Sequence, residues 1–351
     1  MCIQIINLQN REIYSKILWK TLKFNIPLHA YLELTSKCNA RCFFCFQREN
    51  YRKKREIDTQ EWEKIIKDLK ENKCFWLIFS GGEPLIREDF WKLIEFARKN
   101  TFVVSIVTNG VLLEKKDIPK FKKYYIESIT ISLHAIDKEL CTQIYGISYP
   151  IEKIIDVILA LKKEEVPFNI HVVLNKKNIK EFENICAFFE KKGISENTIT
   201  FYPVHPIKNQ NCMEFMPSRE ELIEFYKKHS LPIFKRFSPA LICGAGRNVL
   251  RIDSEGNVHI CPIFEFPIEN ILVRPLKEIW ENNLVLRLIR KINSEDFKNY
   301  IECEYNLFCD ACMAHNWNEN GDIFIPSKFN CMLAQIFKEI WEKKYEGTPN
   351  S

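Results

Sequence analysis

Long apolar runs are missing from this 351-residue chain: the longest, such as CFWLIF at 74–79, fall far below the ~20 residues a transmembrane helix needs. The opening MCIQIINLQNREIY has neither a basic n-region nor an extended apolar core, so a cytoplasmic protein with no membrane partner is expected. A strong charge of either sign is absent as well. The 51 basic and 46 acidic residues leave +5, enough for solubility but no footprint for nucleic acid. No low-complexity linker appears, and no repeat beyond a βα unit. Cysteine, by contrast, is plentiful. A reducing cytosol argues against a disulfide framework for fourteen of them, which leaves metal or redox chemistry for those that cluster. Isolated Cys2, Cys74, Cys141, Cys186 and Cys212 read as small hydrophobes.

The 46 % of hydrophobic residues can fill one large domain, or one domain with a smaller appendage. From about residue 30 to 205 the chain alternates β-rich runs (HAYLEL, FWLIFS, FVVSIV, SITISL, FNIHVVL, TITFYPV) with helical stretches such as TQEWEKIIKDLKENK and IEKIIDVILALKKEE. That rhythm predicts an α/β fold of parallel strands covered by helices, in about six units. In such folds ligand-facing loops lie at the carboxyl ends of the strands. The chemically unusual segments fall there in turn: TSKCNARCFFC after the first strand, GGEP after the second, TNG after the third, SLHA at the end of the fourth.

Cys38, Cys42 and Cys45 stand in the spacing C-x3-C-x2-C. A four-iron cubane takes one thiolate per iron, so three leave one iron open for an exchangeable ligand. Structural zinc wants four nitrogen or sulfur ligands, and no histidine stands at finger spacing nearby. This loop, followed by GGEP, resembles the radical S-adenosylmethionine (radical SAM) superfamily over about residues 29–230. The resemblance implies a partial (βα)6 TIM-like barrel in which the three cysteines hold a [4Fe–4S] cluster. Its fourth iron would bind the amino and carboxylate groups of S-adenosylmethionine. An electron, from a donor such as flavodoxin or ferredoxin, would cleave the sulfonium to methionine and a 5′-deoxyadenosyl radical.

The same resemblance implies the remaining cofactor contacts. Gly81 and Gly82 would let the ligand approach the backbone, and Glu83 would accept from its ammonium group. Ser132 is placed for the ribose or carboxylate, Phe44 matches an aromatic position near the adenine, and Asn109 lies in a turn that Asn-Gly also forms for conformational reasons alone. His134 stands where the family usually has an acidic residue.

After residue 230 the rhythm gives way to RNVLRIDSEGNVHICPI, two β-like runs about a glycine turn, then a cysteine-bearing loop and a final helix near 330–345. Expected boundaries are therefore 1–28 for an N-terminal extension, 29–232 for the barrel and 233–351 for a β-hairpin/helix module packed against it. The module resembles the SPASM and twitch auxiliary-cluster modules. It carries six of the seven cysteines of a full SPASM set and has Tyr300 where a C-x2-C pair would begin. The twitch pattern is met by Cys243, Cys261, Cys309 and Cys312, four thiolates for one closed auxiliary [4Fe–4S] cluster that would pass electrons. Cys303 and Cys331 either complete a second cluster with a non-cysteine ligand or stay outside it.

The resemblance leads to hydrogen abstraction from an unactivated carbon, in maturation of a ribosomally made peptide by cross-linking or epimerisation. A small alcohol or sugar dehydrogenase is the alternative among enzymes, and a non-enzymatic iron–sulfur or zinc scaffold the alternative outside them. About 28 residues before the first strand leave little room for a peptide-recognition domain, so a separate recognition protein or a small substrate is expected. The loop YPVHPIKNQNC, with Tyr202, His205 and Cys212, is the expected substrate-facing wall.

Overall fold

The computed structural model describes residues 11–45, 55–206, 214–229 and 243–345. Six strands follow one another in parallel: β1 (His29–Glu33), β2 (Trp76–Ser80), β3 (Val103–Thr108), β4 (Ser128–Ser132), β5 (Phe168–Leu174) and β6 (Ile199–Pro203). Each pairs with the next, and the sheet stays open, as a partial barrel does. One face of every strand is apolar and sealed by helices. Ala30, Leu32, Leu77, Phe79, Val104, Ile106, Ile129 and Ile131 have no exposed surface. The alternate positions, among them Tyr31, Glu33, Thr130, His171 and Thr200, form a partly polar concave face. Alternation inside buried parallel strands thus encodes a lumen as well as a core.

The covering helices are fixed by sequence-local devices. Thr59–Glu71 starts at a capping box, in which Asp58 and Glu61 satisfy each other's backbone amides, and it buries Trp62, Ile65, Ile66 and Leu69 at i, i+3, i+4 and i+7. Burial of such side chains stabilises by roughly 1.5–3 kcal/mol each. Helices Phe90–Lys99, Ile151–Lys163 and Phe182–Lys191 repeat the buried stripe without the capping box.

The C-terminal hairpin lies on the same sheet. β7 (Val249–Ile252) pairs in parallel with β1, and β8 (Asn257–His259) and β9 (Glu269–Asn270) continue antiparallel, giving the order β6-β5-β4-β3-β2-β1-β7-β8-β9. Buried Arg251 of β7 reinforces the junction. It donates to Glu33 of β1 at 3.2 Å and to His259 Nδ1 at 2.9 Å. The expected final helix is present as Lys328–Tyr345, joined by shorter ones over Leu276–Asn282, Leu284–Lys291 and Met313–Asn320.

Candidate functional site

The three-cysteine loop leaves β1 and is pinned at its root. The Glu56 carboxylate accepts from the Thr35 hydroxyl at 2.9 Å and from the Ser36 amide and hydroxyl at 2.7 and 2.8 Å. Burial opposes the charge on Glu56, but the Ser36 and Thr35 donors outweigh it and its pKa falls. Further along, the Cys45 amide closes a turn on Cys42 O at 3.1 Å, and the Arg41 amide bonds Tyr145 O at 2.7 Å. Cys38, Cys42 and Cys45 all lie partly exposed on this one loop.

GGEP packs directly on that loop. The Gly82 amide donates to Thr35 O at 2.7 Å and the Glu83 amide to Lys37 O at 2.8 Å. A Cβ on Gly82 would stand 2.3 Å from Lys37 O, and one on Gly81, whose φ is +144°, 2.6 Å from Thr35 O. The close approach these glycines permit is therefore first of all that of the cysteine loop itself. Glu83 departs from its expected part. Its side chain is fully buried and spent on Thr108 Oγ1 at 2.9 Å and the Asn109 and Leu85 amides at 2.8 and 3.1 Å. Burial pushes its pKa up to about 7 against those donors. It holds the second and third rim loops together and offers the rim no free carboxylate.

Asn109 is more than a turn residue. Its Nδ2 donates to Asn39 Oδ1 at 2.7 Å and lies 3.6 Å from the Cys38 sulfur, while its Oδ1 accepts from the Val111 amide at 2.9 Å. The fourth loop is built by stacking. Tyr145 and Tyr149 lie face to face at 3.7 Å, and their hydroxyls donate to Ser132 O at 2.7 and 3.2 Å. The Ser132 hydroxyl makes no hydrogen bond among the described residues. His134 stacks on Tyr145 at 5.1 Å and meets Phe44 edge-on at 5.0 Å. Burial, then His171, depress its pKa to about 3, and as a neutral ring it accepts from the Val173 amide at 3.2 Å. Its place in SLHA is thus structural: it backs Phe44.

In the C-terminal region the six cysteines fall into two groups. The Gly246 amide bonds Ile260 O at 2.8 Å, and Asn318 Nδ2 bonds Ile263 O at 2.9 Å, so the Cys243 loop, Cys261 and the helix that Cys312 caps come together. The Cys312 thiol pKa is raised by burial, and by Asp310, Cys261 and Cys243 around it. Cys309 is pushed up to about 12 by burial, with Asp310, Cys331 and Cys303 as further causes. Cys243 and Cys261 are thus neighbours of Cys312, and Cys303 and Cys331 neighbours of Cys309, whereas the twitch pattern puts Cys309 and Cys312 in one set of four. Tyr300 is committed to Asn316 at 2.9 Å.

Tyr202 and His205 also differ from expectation. The Tyr202 hydroxyl meets His205 Nε2 at 3.1 Å and His315 Nε2 at 3.3 Å, and His205 reaches Asn330 Oδ1 at 3.0 Å. They form a partly buried bridge from β6 to the C-terminal region. Cys212 and most of that loop, like Cys2, lie outside the described residues. Of the other isolated cysteines, Cys74 and Cys141 are core residues and Cys186 is half-buried.

Residues 32–189 match the model of the radical SAM superfamily, and residues 243–313 that of the SPASM iron–sulfur cluster-binding domain, together more than half of the chain. The chain belongs to the radical SAM superfamily. Among curated relatives, this radical SAM chain is 29 % identical over 249 residues to "Probable GTP 3′,8-cyclase" of Sulfurisphaera tokodaii, spanning 65 % of the chain and 79 % of that protein. It is 25 % identical over 289 residues to the mycofactocin maturase MftC of Mycolicibacterium smegmatis (76 % and 74 %), and 24 % over 332 to the AdoMet-dependent heme synthase of Methanosarcina barkeri (85 % and 94 %). Its fold is that of Streptococcus suis SuiB bound to the precursor peptide SuiA, with a TM-score of 0.70 at 18 % identity over 91 % of this chain and 80 % of that one. AdoMet-bound anSMEcpe gives 0.70 at 17 % over 91 % and 98 %.

Radical SAM domains bind a [4Fe–4S] cluster and S-adenosylmethionine, and SPASM domains bind auxiliary clusters. The donor set fits. Three thiols share the rim loop, where the Asn109 amide group approaches one sulfur and the Ser132 hydroxyl makes no hydrogen bond among the described residues, and six more thiols stand in the C-terminal region. Asn39 and Glu56, which shape the cysteine loop, escaped sequence reasoning because single polar residues carry no periodic signal. No helix among the described residues is long and apolar enough to cross a membrane.

Proposed function

We propose that this enzyme abstracts hydrogen from an unactivated carbon of a peptide substrate, forming a cross-link or an epimerised centre. The convergence of three further rim loops on the Cys38 loop carries the reading, through Gly82 to Thr35 O at 2.7 Å, Asn109 to Cys38 at 3.6 Å and His134 to Phe44 at 5.0 Å. In it Cys38, Cys42 and Cys45 hold the cluster, the Gly81–Gly82 segment and Ser132 orient S-adenosylmethionine, and Phe44, backed by His134, packs on the adenine. When bound and reduced by a flavodoxin or ferredoxin, the cluster supplies the electron that turns S-adenosylmethionine into methionine and the 5′-deoxyadenosyl radical. Asn109 donates to the Cys38 sulfur, and the concave face holds the substrate hydrogen at near-attack range, roughly 3–3.5 Å from the reacting atom, with water excluded. Cys243, Cys261 and Cys312 hold one auxiliary cluster; Cys303, Cys309 and Cys331 hold another.

The maturase relative supports maturation chemistry, and the reading adds a peptide substrate presented by a separate recognition protein. A second reading, radical chemistry on a small molecule, draws on the heme synthase relative, spanned over 94 % of its length. A precursor peptide encoded beside this chain, incubated with reconstituted enzyme in deuterated water, decides between them. A hydrogen-pair loss or solvent deuterium uptake in the peptide is expected; an unaltered peptide together with deoxyadenosine formation on a small metabolite would favour the second.

A further inference from the structure

Three thiolates leave one iron of a cubane without a protein ligand. Next to Cys312 stand two other groups able to bind iron. A carboxylate oxygen of Asp310, a ring nitrogen of His315 and the Cys312 sulfur all lie within 4.8 Å of one another. Hydrogen bonding separates the two candidates. The His315 ring is held on both sides, with Nδ1 at 3.1 Å from Asn330 Nδ2 and Nε2 at 3.3 Å from the Tyr202 hydroxyl, and it stacks on His205 at 3.8 Å. Asp310 is held on one side only. Its Oδ1 accepts from the Cys312 amide at 3.2 Å and from Asn330 Nδ2 at 3.1 Å. Its Oδ2 accepts no hydrogen bond among the described residues, and His315 Nδ1 lies 3.7 Å away. The side chain is 25 % exposed, so a largely buried carboxylate beside Cys312 keeps one oxygen free of hydrogen bonds among the described residues. Buried charges are retained when they are paired or coordinate a metal. Between Asp310 and Cys312, Ala311 takes a left-handed φ of +48°, a conformation a non-glycine residue adopts at a cost, and this turn lets Asp310 reach back to the Cys312 amide.

We propose that the Asp310 carboxylate is the fourth ligand of the auxiliary cluster held by Cys243, Cys261 and Cys312. The inference rests on the reading that those three thiolates share one cluster. The cluster is then closed, with mixed sulfur and oxygen ligation, and serves electron transfer without binding substrate. A carboxylate gives the iron less electron density than a thiolate, so this cluster has a higher potential than an all-cysteine equivalent.

The test uses the full chain carrying Cys38→Ala, Cys42→Ala and Cys45→Ala, so that only auxiliary iron is observed after anaerobic reconstitution. Asp310→Ala, Asp310→Cys, His315→Ala and Cys312→Ala are each added to it, and iron content, paramagnetic resonance and reduction potential are measured. Asp310→Ala is expected to lose about one iron per chain more than the parent on mild oxidation and to gain a three-iron signal beyond the one the Cys303, Cys309 and Cys331 cluster gives the parent. Asp310→Cys should keep the parent's iron without that signal, at a lower potential, which also shows that the chain folds with residue 310 replaced. His315→Ala should resemble the parent. An Asp310→Ala spectrum identical to the parent's, or the added three-iron signal appearing in His315→Ala instead, would overturn the assignment. If Cys312→Ala also leaves iron and spectra unchanged, the underlying cluster reading fails and the ligand assignment with it.

Discussion

Asn109 shows how one side chain can join chemistry to scaffold. A hydrogen bond to a ligating sulfur withdraws electron density and raises a cluster's potential, so the 3.6 Å contact to Cys38 should matter beyond positioning. Asn109→Ala is expected to retain the first cluster, lower its potential and slow S-adenosylmethionine cleavage. An unchanged potential would reduce Asn109 to a turn former. In the sequence, Asn-Gly reads as a turn because both residues tolerate left-handed backbone; a reach across 71 residues to Cys38 leaves no local trace. Glu83 is similar. Its motif announced a site, but only the fold shows that Thr108 and two amides absorb the carboxylate. The cysteine spacing was legible because three thiols lie within eight residues. The division of the six later cysteines was not, since it depends on which loops the helices bring together.

At the scale of elements, the six parallel strands were legible from β-branched runs punctuated by helices of thirteen residues or so. Short helices such as Lys138–Tyr145 and Leu284–Lys291, at eight residues each, complete too few turns to impose a period. Also hidden was the parallel pairing of β7 on β1, because pairing across some two hundred residues is decided by packing. That pairing predicts the outcome of a cut at residue 232, the boundary expected from the sequence. The truncated chain would expose the β1 edge, with its row of unpaired amides and carbonyls, and leave Glu33 without Arg251. It should be recovered mostly as aggregate. A soluble, folded monomer on size exclusion and circular dichroism would contradict the continuous sheet.

For the molecule as a whole, burial of neutral histidines sets the response to acid. His29 and His171 are depressed to about 4 and His134 to about 3, each chiefly by burial. The unfolded chain binds protons at these rings near pH 6.5, the folded chain only far lower, so stability is present above that value and lost as pH falls toward 4. Each ring contributes a slope approaching about 1.4 kcal/mol per pH unit. Urea midpoints should therefore drop clearly between about pH 7 and pH 5, and equal midpoints would mean that the rings are protonated in place. The central claim is that the three-cysteine loop carries the radical chemistry, and one measurement reaches it most directly: 5′-deoxyadenosine formed from S-adenosylmethionine under dithionite. The reconstituted chain should produce it, and the variant with Cys38, Cys42 and Cys45 replaced by Ala should produce none while keeping its auxiliary iron. Equal amounts from both proteins would contradict the account.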